Sequence, residues 1–249
     1  MDSAIKLSQA TRDYGKGRGV FDLSLKVQQG EAVGFLGANG AGKSVTMRML
    51  MGFIRPTSGS VRIMGMDCFA KRAVIQKAVG YLPGELTFPS GMTGGSFLRF
   101  VAALSNVQEK GSLCGNRRAD ELADYFELDP SAPLRAMSKG NRQKVGIVAT
   151  FMASPKLLLL DESTSGLDLL MQRRFMELVQ AEKRRGATIL MSSHLVGEVE
   201  STCDRAIFIR HGRIVDQAST DELTPNKVLE QLYGPEALDV RIEEKVSTL

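Results

Sequence analysis

The chain has 249 residues, 43% of them hydrophobic, a net charge of +4 and a pI near 9.0. That suits one large α/β domain with a sizeable core, and the mild basic excess demands neither nucleic acid nor an anionic membrane as partner. No apolar run approaches the ~20 residues that span a bilayer, so any work at a membrane needs another chain to do the spanning. Cys68, Cys114 and Cys203 are odd in number, far apart and in no metal-binding spacing. No signal-peptide pattern follows Met1, and together these features predict a reducing, intracellular compartment.

Residues 4–12 and 20–27 alternate apolar and polar side chains and predict two half-buried strands around a polar turn at 13–19. Tyr14 is the one aromatic in that turn; it can stack on a base or lie as a lid over the adjacent hydrophobic edge. A third strand over 32–36 runs into Gly37-Ala38-Asn39-Gly40-Ala41-Gly42-Lys43-Ser44, and a helix follows from Val45. The octet fits G-x-x-x-x-G-K-[ST]. A Gly-rich turn with a chance lysine has the same composition, but strand, loop and helix in this order aim a helix N-terminus and a row of backbone N–H groups at one point. Gly37, Gly40 and Gly42 permit the tight turn; Lys43 is placed to reach β- and γ-phosphates, and the Ser44 hydroxyl to sit on Mg²⁺. The loop through Val45, with Asn39 and Ala41, is the candidate nucleotide cradle.

A turn at 55–59 leads to a short strand over 60–64, a helix over 67–76 and a strand over 78–82. A loop dense in Gly and Pro fills 83–91. From 92 to about 135 the apolar spacing is helical, with Leu98, Val101, Ala102 and Leu104 on one face. A further helix is predicted over 142–152, with Ser138 as a plausible cap near its start. Leu157-Leu158-Leu159-Leu160-Asp161-Glu162 predicts a parallel strand buried on both faces and closed by two acids. A strand-end carboxylate such as Asp161 can hold Mg²⁺, and Glu162 beside it can polarise a water for in-line attack. After a helix over 169–185, a strand over 187–191 ends near His194, where an imidazole can bond a γ-phosphate. His211 reads as an ordinary imidazole in the turn between strands at 206–209 and 213–215. A last helix over 228–233 precedes a loose polar tail.

The predicted fold class is α/β: a P-loop NTPase core with a mainly parallel sheet, an antiparallel β layer and an inserted α-helical subdomain. Residues 1–249 form a single domain, with core segments at 1–91 and about 136–218. The helical subdomain covers about 92–135 and a C-terminal extension covers about 219–249.

Over residues 4–218 the motifs and their order resemble the nucleotide-binding subunit of an ATP-binding cassette (ABC) transporter. Residues 37–44 resemble Walker A, residues 157–161 resemble Walker B, and Glu162 falls where the family has its catalytic glutamate. His194 resembles the switch histidine, Ser165-Gly166-Leu167-Asp168 the D-loop, and Tyr14 the adenine-stacking aromatic. Ser138-Lys139-Gly140-Asn141, followed by Arg142-Gln143-Lys144, is similar to the signature L-S-G-G-Q-x-Q-[RK]. The resemblance implies ATP and Mg²⁺ as cofactors and ATP hydrolysis as the activity. It implies a second copy of the subunit, with Ser138, Gly140 and Asn141 reaching the ATP of the partner. It also implies a polytopic membrane permease docked near 88–91 and the helical insert, and a location at the cytoplasmic face of the membrane. Where the family has a glutamine after Pro83 this chain has Gly84, and Glu85 is expected to supply the metal-binding oxygen instead. The Leu-Pro-Gly-Glu loop and Ser-Lys-Gly-Asn signature resemble bacterial subunits paired with small export permeases for drugs or lipid-like compounds. The competing reading is a soluble ABC-type ATPase acting on ribosomes or DNA. A single cassette and the lack of sustained heptads argue against it, so no nucleic acid is expected.

Overall fold

The computed structural model of the chain describes residues 3–234. In chain order, β1 (Ser3–Asp13), β2 (Gly19–Gln28) and β3 (Ala32–Leu36) lead into α1 (Lys43–Leu50). β4 (Ser58–Ile63), β5 (Met66–Asp67), α2 (Arg72–Ala78) and β6 (Val79–Leu82) follow. Then come α3 (Gly94–Leu104), α4 (Arg117–Tyr125), α5 (Lys139–Phe151), β7 (Leu157–Asp161), α6 (Leu169–Arg184), β8 (Thr188–Ser193) and α7 (Val196–Thr202). β9 (Arg205–Arg210), β10 (Arg213–Ser219) and α8 (Pro225–Tyr233) close the described chain.

The strands form two sheets. An antiparallel layer has the order β2-β1-β4-β5, and a six-stranded sheet has the order β10-β9-β3-β8-β7-β6. All neighbours in the larger sheet run parallel except the edge strand β10. Side-chain alternation along its strands divides the interior in two. Val33, Phe35, Leu157, Leu159, Leu190 and Ile207 face α1 and the antiparallel layer. Leu158, Leu160, Ile189, Met191 and Phe208 face the opposite core, which holds α5, α6 and the helical insert. All four leucines of β7 are fully buried, each contributing about 1.5–3 kcal/mol relative to exposure.

Several boundaries differ from the sequence reading. The helix expected from residue 67 begins at Arg72, because Asp67 accepts the N–H groups of Phe69 (3.1 Å) and Ala70 (2.8 Å) and holds a turn instead. The helical stretch at 92–135 resolves into α3 and α4, with turns between them. Thr93 and Ser96 form a capping box on α3, and Asn116 caps α4 by accepting from Ala119 N at 2.7 Å. The helix expected from residue 142 starts at Lys139, with Ser138 as its cap. The second strand of the C-terminal hairpin runs on to Ser219. The tail expected after the last helix falls mostly at 235–249, outside the described residues.

Buried polar contacts fasten α4 to α6 and to the end of α5. Glu182 on α6 is buried and receives Arg118 from α4 and Arg185 from the C-cap of its own helix. Arg118 Nε also donates to Phe151 O at 3.0 Å, and Asn116 Nδ2 donates to Met152 O at 3.3 Å. Among the described residues no helix is long and apolar enough to cross a membrane.

Candidate functional site

The C-terminal ends of β3, β7 and β8 converge on one edge of the parallel sheet, where open α/β folds bind ligands. Gly42 takes φ +113° at the turn into α1, and a Cβ there would stand 2.5 Å from Val20 Cγ1. No other residue fits that turn. α1 lacks a side-chain cap and any acid in its first turn, whereas α3, α4, α5, α6 and α8 are all side-chain capped. Its leading N–H groups are therefore left for an anion, which the helix dipole also favours.

An open cleft of about 790 Å³ lies over this helix start. Asn39, Gly40, Gly42, Lys43, Ser44 and Val45 line it, and so do Tyr14, Glu85, Asp161 and Glu162. Gly37 stands back from the cleft against β9, where a Cβ would come 2.7 Å from Ile209 O. Ala41 is buried, and its carbonyl accepts from Gly212 N at 2.9 Å, tying the loop to the β9–β10 turn. Tyr14 is 44% exposed, with the Arg12 guanidinium 4.7 Å from its ring centroid, so the ring has a cation behind it while it borders the cleft.

Lys43 is 4% exposed, yet its ammonium is fully engaged. It donates to Gly37 O (2.5 Å) and Ala38 O (3.1 Å) and pairs with Glu162 Oε1 at 3.0 Å. The other Glu162 oxygen, Oε2, lies 3.3 Å from His194 Nδ1. Lysine, glutamate and histidine thus form one chain of contacts, with Lys43 and Glu162 lining the cleft and His194 behind Glu162, outside that lining. Glu162 takes the left-handed φ of +45°, a strained setting for a non-glycine residue. Its N–H donates to Ser192 O at 3.1 Å and lies 3.2 Å from Ser192 Oγ, which hold it there.

Asp161 is 3% exposed, and its Oδ1 accepts from Ser192 Oγ at 2.5 Å. The oxygen donors on this cleft, the Ser44 hydroxyl and the Asp161 carboxylate, suit a hard divalent cation carried in with phosphate oxygens. No group of three His, Cys, Asp or Glu residues among those described forms a metal cage of its own. Tyr81 also borders the cleft; burial, and then the Asp161 charge, push its phenol up to about 12. Gly84 packs directly on the acids, since a Cβ would stand 3.1 Å from Asp161 O and 3.7 Å from Glu162 Cβ. A larger residue at 84 would crowd the Asp161 carbonyl, and Glu85 beside it faces the cleft.

Ser138 Oγ accepts from Asn141 N at 3.2 Å, and neither these two residues nor Gly140 line the cleft. Gly140 lies against Gly166, whose carbonyl would be 2.6 Å from a Cβ. Sequence reasoning missed Ser192, whose role follows from the pairing of Asp161 with Ser192 in the β7–β8 register. It also missed His211, which lines the cleft beside Gly212 rather than standing apart as a surface imidazole. Arg18, Arg48 and Lys139 add three cations to the same walls, Lys139 beside Ser165.

Residues 20–165 match the family profile described as ABC transporter. The bacitracin transport ATP-binding protein BcrA of Bacillus licheniformis is 32% identical over 226 residues, covering 90% of this chain and 72% of that protein. The daunorubicin/doxorubicin resistance ATP-binding protein DrrA of Streptomyces peucetius is 32% identical over 222 residues, or 88% of this chain and 66% of that one. A solved ATP-binding subunit of an ABC transporter superposes with a TM-score of 0.80 at 26% identity over 99% of both chains. The cassette MJ0796, solved as a dimer in a post-hydrolysis state with ADP and Pi, shares the fold at a TM-score of 0.75. That match has 20% identity and covers 87% of this chain and 98% of MJ0796.

Proposed function

The chain belongs to the ABC transporter family as an ATP-binding, ATP-hydrolysing subunit, and from that premise we propose how its residues divide the work. ATP lies along the cleft with its phosphates on residues 37–45, Lys43 neutralising their charge and Tyr14 stacking on the base. Mg²⁺ would be held by Ser44 and Asp161, with Glu85 as a further oxygen; when bound it neutralises phosphate charge and orients the γ-phosphoryl group. Glu162 takes a proton from the attacking water, and His194 holds the Glu162 carboxylate and senses the γ-phosphate. The observation that carries this reading is the single contact chain Lys43–Glu162–His194 at the mouth of an uncapped α1.

We further propose that two copies close head to tail around two ATP, Ser138, Gly140 and Asn141 of each reaching the nucleotide of the other. Their position off the cleft of their own chain supports this. The dimer drives a separate membrane permease that docks near residues 88–91 and the helical subdomain at about 92–135 on the cytoplasmic face, and the cargo moves outward. The names of the relatives, bacitracin transport and daunorubicin/doxorubicin resistance, favour export of a drug or lipid-like compound over any ribosomal or DNA role. The deciding experiment is size-exclusion chromatography of Glu162→Gln with saturating ATP. That variant should bind ATP, lose about 10²–10⁴-fold in turnover and elute as a nucleotide-dependent dimer. An ATP-loaded monomer would sink the composite-site reading.

A further inference from the structure

Lys139, the first residue of α5, occupies a signature position where the family pattern has glycine. Its Nζ donates to Ser165 Oγ at 2.8 Å, and its methylene stem lies over Gly166, within 3.1–3.5 Å of where a Cβ would stand. Gly166 has φ +86° and no side chain, which leaves room for that stem. One helical turn on, Gln143 is 2% exposed and donates Nε2 to Ser163 O at 2.7 Å. Residues i and i+4 of one helix face the same way, so both grip the loop 163–166. That loop starts directly after Glu162, whose left-handed backbone needs outside support to persist. Ser165 N in turn donates to Glu162 O at 3.2 Å.

We propose that Lys139 is a positioning residue, its ammonium holding the Ser165 hydroxyl so that the loop fixes the Glu162 carboxylate for attack in the same chain. The signature helix, read above as serving the nucleotide of the other copy, is by this latch also wired to the base of its own site. A ligand that draws Lys139 away from Ser165 would therefore slacken Glu162, giving each site a report on its neighbour. This rests on Glu162 being the base of ATP hydrolysis.

The test is steady-state ATPase kinetics on Lys139→Met, Ser165→Ala and the double variant. Methionine keeps an unbranched stem over Gly166 and removes the ammonium, and with it both the charge and the donor to Ser165. Each single variant should lower kcat about three- to tenfold with KM for ATP within about twofold of the wild type. The double variant should be no worse than either single one, because both break the same bond. Lys139→Arg should recover at least about half of the lost kcat, which a purely structural packing role would not predict. Additive losses, a Lys139→Met effect on KM alone, or no effect at all would overturn the latch. Failure of the underlying reading has a separate signature: wild-type turnover in Glu162→Gln, measured in the same series.

Discussion

Lys43 enters a cluster of oxygens with almost no exposed surface, so its loss leaves Gly37 O, Ala38 O and Glu162 Oε1 without their shared cation. Lys43→Ala should weaken ATP binding by about tenfold or more and abolish turnover, as read by fluorescent-nucleotide titration and phosphate release. Wild-type values would refute the site. At this scale the sequence was most informative where chemistry is written in consecutive residues. Gly42, Lys43, Ser44, Asp161 and Glu162 each sit in a short motif whose local geometry is fixed by its own neighbours. Ser192 and His211 were illegible for the opposite reason. Ser192 gains its role only when β8 pairs with β7 and brings the hydroxyl to Asp161. His211 joins the cleft only when the β9–β10 turn docks on Ala41 O.

Among the elements, α4 and α6 meet through a joint no sequence pattern announced. Arg118 and Glu182 are 64 residues apart, and neither periodicity nor charge spacing links them. Glu182 has only 3% of its side chain exposed, whereas Arg118 keeps 34%. Removing the carboxylate leaves a partly solvated guanidinium, so the cost falls below that of a fully buried pair. Glu182→Ala should destabilise the fold by about 2–3 kcal/mol, read from the urea midpoint at constant slope. A change below about 0.5 kcal/mol would show that the joint is solvent-screened. Strands were read more closely than helices, because β3 and β7 are buried on both faces and so show as unbroken apolar runs. Helix starts shifted wherever a side chain captured the backbone first, as Asp67 does ahead of α2 and Ser138 ahead of α5.

Across the whole molecule, the three thiols report on the integrity of both cores. Cys68 and Cys114 are 1% exposed and Cys203 is 5% exposed. Burial, the first cause in each case, pushes all three from an ordinary 9.0 up to about 12. The folded chain thus keeps its protons where the unfolded chain would lose them. Below pH 9 this costs nothing; between 9 and about 12 ionisation favours the unfolded chain, and stability falls. Thiol titration at pH 8 should find no reactive cysteine until denaturant is added, and the urea midpoint should decline steadily as pH rises above 9. Rapid labelling of the native protein would contradict the burial of these groups.

The six-stranded sheet also acts as a partition, with the phosphate cradle on α1 backed by one core and the signature helix α5 rooted in the other. In genetic terms this allows two dead alleles to rescue each other. A chain carrying Lys43→Ala keeps an intact Ser138, and a chain carrying Ser138→Arg keeps an intact Lys43. On the head-to-tail pairing we propose, the two chains, mixed and allowed to exchange, pair so that one junction inherits both lesions and the other inherits neither. Random pairing should therefore restore about a quarter of the working sites of the wild type, although each chain alone has none.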